Sequence, residues 1–234
     1  MKKVLLASAA IALLGAGSMA QAVTIDGTID VGEWLGAASY TIGGGGGTAY
    51  FKADTNYIYG AFDITGWTTA MGADSGGNLL GFGAWKVNGQ SGSGKTGVEF
   101  QQSTTAAAWG GDGNSGTMNG LVSAFRLNGQ IPPAGSIPGD LQAMDLFATG
   151  HRVWEVKMPI GTMGVKAGDT VWVVGGINYD KATHWYPAAF PTTWSQYAPV
   201  NVEASPAVPE PAFFQMGALL GMSGLGCLKL RRKA

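Results

Sequence analysis

Residues 56–65, NYIYGAFDIT, are the stretch that decides the fold. Ile58, Phe62 and Ile64 recur with a period of two, and tyrosine, alanine and aspartate fall between them. Successive side chains of a β-strand point to opposite faces of a sheet, so this alternation predicts a strand. The residues just before it, Asp54-Thr55-Asn56, predict a hairpin turn that leads from a preceding strand.

The chain between residues 23 and 204 contains further short strand patterns and no sustained helical period. Connections rich in Gly, Ser and Pro separate these patterns, and Gly supplies 39 of the 234 residues. Many short strands with such connections favour an all-β fold, a two-sheet antiparallel β-sandwich in a single domain. The other predicted strands are residues 48–52, 79–87, 97–101, 121–127, 152–158 and 170–177.

Residues 1–22 have the three parts of a secretory signal peptide. Lys2 and Lys3 form the basic region, and residues 4–14 form an apolar run that is too short to span a bilayer stably. Ala20-Gln21-Ala22 then has the A-x-A form of a signal-peptidase site. We therefore expect an N-terminal signal helix that signal peptidase removes during export.

Residues 205–234 form a second sorting signal. The uncharged, largely apolar residues 212–228 would be about 25 Å long as a helix, the lower limit for a membrane span. The whole segment resembles the PEP-CTERM sorting signal of Gram-negative bacteria. This resemblance implies transient insertion into the inner membrane, cleavage by an exosortase-type protease and release to the cell surface; a permanent anchor is the alternative. The motif residues are Val208, Pro209, Glu210 and Pro211, and the basic tail is Lys229, Arg231, Arg232 and Lys233.

The composition excludes several functional classes. The chain is only 12% charged, and residues 23–208 hold 8 basic against 14 acidic residues, so this body is acidic. An acidic surface repels nucleic acid and anionic lipid. The only cysteine, Cys227, lies in the C-terminal signal, which excludes a catalytic thiolate or a Cys-ligated zinc from the body.

Three motifs of the body resemble family 9 carbohydrate-binding modules and their DOMON-like relatives. This resemblance implies a jelly-roll or DOMON-like β-sandwich that binds sugar termini between aromatic rings, often with structural calcium. No match to the family extends over residues 68–148, where binding loops are then expected. The motifs are Ile25-Asp26-Gly27 with Asp30, Glu33 and Trp34; Lys52-Ala53-Asp54 with Tyr57, Ile58, Tyr59 and Asp63; and residues 154–160, WEVKMPI.

Aromatic residues are the candidate carbohydrate ligands. Indole and phenol rings stack on the apolar faces of pyranoses while their polar atoms find partners. Prolines near the richest cluster would hold its loops rigid and lower the entropic cost of binding. The alternative is that these rings pack a Pro-rich segment against the sandwich. The candidates are Trp185, Tyr186, Trp194 and Tyr197 in that cluster, together with Trp67 and Trp109.

Aspartates near predicted turns are the candidate calcium ligands. Carboxylate and carbonyl oxygens are the ligands that calcium prefers, but the chain has no contiguous Asp-x-Asp-x-Asp loop. The alternative is that these residues only form and cap turns. The candidates are Asp26, Asp54, Asp63 and Asp180.

Residues 89–96, GQSGSGKT, match the phosphate-binding pattern G-x-x-x-x-G-K-[ST]. A working phosphate loop needs a helix directly after it, whereas residues 97–101 read as a strand, so we interpret the match as accidental. With only two histidines, His151 and His184, a three-His metal site is also excluded. We expect no catalytic residues.

These observations predict an exported, non-catalytic protein that binds carbohydrate, most simply an exopolysaccharide at the cell surface. Such a shallow aromatic site is expected to bind with micromolar to millimolar affinity. The alternative is a structural protein of the extracellular or biofilm matrix with no small ligand, in which low charge and Gly-rich loops favour self-association.

Overall fold

The computed structural model describes residues 22–30, 32–42, 46–65, 78–87, 89, 94–103, 115–118, 121–130, 137–148, 150–179, 182–186 and 197–204. The predicted signal peptide and sorting signal, apart from Ala22, lie outside these residues. No helix of the described part is long and apolar enough to cross a membrane. The described part contains a short 3-10 helix, Gly161–Met163, and twelve strands.

The twelve strands of the described part are numbered in chain order. They are β1 (Ala38–Ile42), β2 (Gly47–Asp54), β3 (Tyr57–Thr65), β4 (Asn78–Trp85), β5 (Gly97–Ser103), β6 (Ser115–Met118), β7 (Leu121–Leu127), β8 (Gln142–Ala148), β9 (His151–Pro159), β10 (Thr170–Tyr179), β11 (Ala182–Tyr186) and β12 (Ala198–Glu203).

The strands form two sheets that β12 connects. The first sheet has the order β1-β2-β3-β9-β8, and the second has the order β6-β7-β5-β4-β10 with β11 on the edge of β10. The start of β12 pairs antiparallel with β10, and its end pairs parallel with β2 through Val202 and Glu203. The predicted two-sheet sandwich is therefore confirmed, and its sheets join at one side as in a barrel.

Side-chain alternation places the main core between the two sheets. Ile58, Phe62 and Ile64 of β3 are fully buried there, as their spacing predicts. Trp154, Val156 and Met158 of β9 line the same core. From the second sheet, β4 contributes Phe82 and Ala84, β5 contributes Val98 and Phe100, and β10 contributes Val171, Val173 and Ile177.

A second, smaller apolar layer covers the outer face of the first sheet. The N-terminal residues 22–30 and 32–37, which we call the strap, lie across this face. Trp34 of the strap packs with Tyr59 and Ala61 of β3, the residues that alternate with the core positions. Backbone N–H groups of Glu33 and Trp34 donate to the carbonyl of Asp30, which forms a tight turn in the strap.

The two ends of the sandwich differ in the connections they carry. At one end, the hairpin end, β2 turns directly into β3, and β4 joins β5. At the other end, the loop end, β3, β5 and β10 finish and β4 begins, because Thr65 pairs with His151, Asn78 with Ser103, and Ile177 with Leu80. The connections that follow β3 and β5, residues 66–77 and 104–114, therefore start from the loop end.

Candidate functional site

Two of the predicted aromatic ligands belong to connections that start from the loop end. Trp67 stands in the connection from β3 to β4, and Trp109 stands in the connection from β5 to β6. Both residues lie outside the described part of the chain. The strand ends that precede them, Thr65 and Ser103, lie at the same end of the sandwich. Both connections therefore start at the same end of the sandwich, although Trp67 and Trp109 are 42 residues apart in the sequence.

Part of the predicted aromatic cluster lies beside the edge of β10. β11 and β12 pair with the same edge of this strand: Trp185 stands opposite Gly176, Tyr186 opposite Gly175, and Ala198 opposite Val173. The ten residues 187–196, which include Trp194, connect these two strands and lie outside the described residues. The backbone positions of Trp185 and Tyr186 are therefore at the edge where this connection leaves the sheet.

Tyr197, the last member of that cluster, corrects the prediction. It is only 5% exposed, and its ring lies 5.0 Å from the ring of Trp85, measured between centroids. Trp85 in turn lies across Gly83 and Gly97, where any side chain would collide with the indole. The prediction that Tyr197 offers a ring to a sugar is wrong: glycines in β4 and β5 leave room for an indole on the outer face, and Tyr197 covers it.

A buried polar network lies inside the sandwich beneath the loop end. The indole N–H of Trp154 donates to Oε1 of Gln102 at 2.6 Å, and Nε2 of Gln102 donates to Oγ of Ser123 at 3.1 Å. All three side chains are fully buried. Because the polar groups of these three buried side chains bond to one another, the network holds the indole of Trp154 in one orientation. No pattern in the sequence indicated that Gln102 or Ser123 faces the core.

A buried ion pair adjoins this network. Nε and Nη2 of Arg152 donate to the two carboxylate oxygens of Asp145 at 2.7 and 2.5 Å. Asp145 stands opposite Trp154 in the register of β8 and β9. Such a two-point contact fixes both side chains because the planar guanidinium matches the carboxylate. The loop end of the core is therefore polar and rigid, whereas the rest of it is apolar.

The predicted calcium ligands are engaged with the protein. Asp54 accepts hydrogen bonds from the backbone N–H groups of Asn56 and Tyr57 and from the Tyr59 hydroxyl, at 2.7 to 2.9 Å. Asp63 contacts His151 at 2.5 Å. Hydrogen bonds of this kind fit the alternative, in which the aspartates organise turns and strand pairs.

Asp26, the third described candidate, is used in the same way. Its carboxylate accepts hydrogen bonds from the N–H and the hydroxyl of Thr28, which lower its pKa. Within the described residues, no three His, Cys, Asp or Glu side chains are grouped as a metal site would require. Asp180 lies outside those residues, so its role stays a prediction.

Beneath the strap lies a group of buried charges that the sequence did not reveal. Glu155 of β9 is fully buried, and its Oε2 accepts the backbone N–H groups of Asp26 at 3.1 Å and Gly27 at 2.7 Å. Its Oε1 finds no hydrogen-bond partner among the described residues. Burial raises the pKa of Glu155 to about 7, although both backbone donors act in the opposite direction.

Two further buried charges, Glu33 and Lys52, belong to this group. Together with Glu155 and the exposed Asp26 of the strap they form what we call the strap cluster. Oε1 of Glu33 accepts the backbone N–H of Thr24 at 3.3 Å. Nζ of Lys52 donates to the carbonyls of Glu33 and Leu35 at 3.1 and 3.3 Å, and lies 3.7 Å from Oε2 of Glu203. The strap is thus attached to the sheet by charged groups that accept from, or donate to, its backbone.

The phosphate-loop pattern falls in the connection between β4 and β5. These two strands are antiparallel neighbours, with Trp85 opposite Gly97, and β5 begins directly after Thr96. A strand therefore follows the pattern where a phosphate loop requires the N-terminus of a helix. The prediction that a strand follows this pattern is confirmed.

Comparisons with known proteins agree with this architecture. Two solved structures of a carbohydrate-binding module of family 9 from Caldicellulosiruptor kristjanssonii are similar to the chain. The complex with glucose has a TM-score of 0.50 and the complex with cellotriose a TM-score of 0.51; each covers 82% of this chain and 96% of the module at 9% sequence identity.

This chain has the fold of a family 9 carbohydrate-binding module. At 9% identity the similarity extends to the fold alone. No protein-family model matches the sequence. No curated protein matches it either.

Proposed function

We propose that this protein is a non-catalytic carbohydrate-binding protein whose site lies at the loop end of the sandwich. The observation that carries the proposal is the shared fold with modules that were solved bound to glucose and to cellotriose. The start of the Trp67 and Trp109 connections from one end of that fold adds support, because aromatic rings from both segments could then line one site.

The polar network beneath the loop end suits this role. The loops would lie next to a rigid group of side chains, which we call the floor: Gln102, Trp154 and the pair Arg152–Asp145. The floor does not need to rearrange when a ligand binds. A fixed floor lowers the entropic cost of association. Rings on such a floor would stack on pyranose faces, and backbone groups of the loops would bind the hydroxyls. We expect dissociation constants in the micromolar to millimolar range, typical of shallow sites.

The protein would act outside the cytoplasm. Support comes from the two terminal segments of the sequence, the signal peptide at residues 1–22 and the PEP-CTERM-like segment at residues 205–234. Signal peptidase and an exosortase-type protease would be its processing partners, with transient insertion of residues 212–228 in the inner membrane. An acidic, weakly charged body then meets neutral polysaccharide at the cell surface.

Titration calorimetry of the exported, purified protein tests the binding proposal. Glucose, cellotriose and a soluble neutral polysaccharide serve as ligands, each with calcium and with a chelator. We expect binding of at least one ligand, and a loss of ten-fold or more in affinity for Trp67→Ala or Trp109→Ala, whose connections start from the loop end. Tyr57→Ala at the hairpin end is the matched control and should bind normally. No binding to any ligand under either condition would refute the proposal.

A structural matrix protein is the second candidate, and one observation favours it. β8 lies at the edge of the first sheet, pairs only with β9 among the described strands, and contains neither Lys nor Pro. Unprotected edge strands are templates for association between chains. Sedimentation of the exported protein over a hundred-fold concentration range would reveal self-association. Association without sugar binding would support this candidate over the first.

A further inference from the structure

The strap begins beside a buried carboxylate. The backbone N–H of Thr24 donates to Oε1 of Glu33, and Glu33 is only 3% exposed. Backbone bond lengths place the nitrogen of Val23 within about 3.7 Å of the nitrogen of Thr24. The nitrogen of Val23 therefore lies within about 7 Å of the Glu33 carboxylate.

The strap cluster has more negative than positive charge. Asp26, Glu33 and Glu155 form no ion pair within the described part of the chain. The ammonium of Lys52 is directed to two carbonyls and to Glu203 instead. Lys157, two residues from Glu155, lies over the ring of Tyr57 at 4.0 Å. A further cation beside Glu33 would relieve the repulsion among the three carboxylates.

A second observation concerns the Glu155 carboxylate. Oε1 of Glu155 has no hydrogen-bond partner among the described residues, although the side chain is fully buried. The other oxygen of the same carboxyl group accepts two N–H groups of the strap, so the group faces the strap. Buried acceptors without partners cost stability, and a nearby positive charge reduces that cost.

We propose that the strap cluster is a binding site for a primary ammonium group, and that the group is the α-ammonium of Val23. Signal peptidase would create it by hydrolysing the peptide bond between Ala22 and Val23. One water is consumed, Ala22 leaves as a carboxylate, and the nitrogen of Val23, a neutral amide in the precursor, becomes a cation with three N–H donors. That cation binds the Glu33 carboxylate and balances the cluster.

The consequence is that removal of the signal peptide tightens the strap. Before cleavage the strap is attached by neutral backbone donors to Glu33 and Glu155. After cleavage the first residue of the mature chain adds a charge-assisted contact, which is stronger than a neutral hydrogen bond. The exported protein would therefore reach its full stability only as the mature chain.

The test uses the full precursor, exported from a bacterial host with its own signal peptide and then purified. Its mass should correspond to a chain that begins at Val23. Transamination with pyridoxal phosphate then converts the α-amine alone to an uncharged ketone. We expect the blocked protein to melt about 2–4 °C lower than the untreated protein, the shift typical of one such contact in a domain of this size. Backbone amides of the strap should also exchange with deuterium faster.

Two variants keep the proposal falsifiable. Glu33→Gln removes the acceptor charge, so blocking should leave its melting temperature unchanged. Two serines inserted between Ala22 and Val23 move the ammonium up to about 7 Å away, and blocking should again have no effect. Equal melting of blocked and untreated wild-type protein would overturn the proposal. So would an equal drop in all three proteins, or a mature chain that begins at another residue.

Discussion

The two buried layers of this protein share strands but differ in how they are stabilised. The core between the sheets is apolar apart from the polar network at its loop end, and the described atoms of that network have partners. The layer beneath the strap is small, with Trp34, Tyr59 and Ala61 at its centre. It also buries Glu33, Glu155 and Lys52. Alternate side chains of β3 enter the two layers. The difference between the layers therefore arises from the part of the chain that covers each face of the sheet.

The two layers are stabilised by different interactions, so different changes should destabilise them. Burial of apolar surface between the sheets depends little on pH or on charge. The strap is held by carboxylates and an ammonium whose contributions change when a charge changes. We therefore expect substitutions in the core to unfold the whole domain, whereas changes beneath the strap act on a separable segment. This difference between the two layers predicts the outcome of four measurements.

Phe62→Ala should have the largest effect. The Phe62 side chain is fully buried, and its ring packs against those of Phe51 and Trp154 at centroid distances of 6.3 and 5.6 Å. The cavity left behind should lower the free energy of unfolding by about 3–5 kcal/mol, as measured by urea denaturation. Val87→Ala, at a residue that is 49% exposed, is the control and should cost less than about 0.5 kcal/mol. Similar losses in both variants would contradict the assignment of the core.

Gly27→Ala should have the next largest effect and should act on the strap. Gly27 has φ of +86°, and a Cβ there would lie 2.7 Å from Cβ of Leu146. Backbone strain and collision together should cost about 2–3 kcal/mol. Gly168→Ala is the matched control, because Gly168 has φ of +90° and open space around a Cβ, so it carries only the strain of about 1 kcal/mol.

Hydrogen exchange separates this prediction from a general loss of stability. In Gly27→Ala the backbone amides of the strap should exchange with deuterium faster. The amides of β10 should lose no more protection than the change in global stability causes. Equal costs for Gly27→Ala and Gly168→Ala would show that the strap does not pack on Leu146 as described.

Glu155 should make the stability of the protein fall as pH rises. Its folded pKa of about 7 lies above the ordinary value of 4.5, so the folded state binds more protons between these values. The free energy of unfolding should therefore be highest near pH 5 and decrease by about 2 kcal/mol by pH 8, less than the full shift implies because the neighbouring strap residues Thr24 and Asp26 are exposed to solvent.

Glu155→Gln tests the origin of this pH dependence. The amide oxygen can still accept the two N–H groups of the strap, but it carries no charge. Urea denaturation between pH 5 and pH 8 should then show only the smaller slope left by Glu99, whose pKa burial also raises. A variant with the wild-type slope would rule out Glu155 as its source.

Tyr59→Phe should have the smallest effect. The substitution removes the hydrogen bond from the Tyr59 hydroxyl to Oδ2 of Asp54, which measures 2.9 Å. Asp54 keeps two backbone donors, so the loss should be about 1 kcal/mol. In an Asp54→Asn background the same change should cost less, and a double-mutant cycle measures the difference. An unchanged cost in that background would mean that the two groups are not coupled.

Strands with regular alternation were predictable, and those without it were not. The predicted strands correspond to β2, β3, β4, β5, β7, β9 and β10, with ends that differ by up to two residues. β8 escaped prediction because Asp145 takes a core-side position and interrupts its apolar pattern. β12 carries Pro199, which marks a strand poorly, since proline lacks the N–H that a central ladder needs. β1, β6 and β11 are only four or five residues long.

For the candidate site, the sequence predicted the types of residue better than their positions in the structure. Aromatic residues pointed to a carbohydrate site, yet Tyr197 is buried against Trp85. Trp67, Trp109, Trp185 and Trp194 stay predictions, as does a calcium role for Asp180. For Asp54 the turn pattern was the better guide, since its carboxylate organises the β2–β3 hairpin.

The sequence by itself determined the sandwich, since a period of two assigns each strand its faces without reference to any other strand. Only the tertiary structure decided which charges are buried. Glu155 looks like a solvent-facing position of β9, and it is buried because the strap, 129 residues away from it in the chain, lies across that face. Burial of a charged group depends on long-range packing, and no local pattern in the sequence records which segment will cover it.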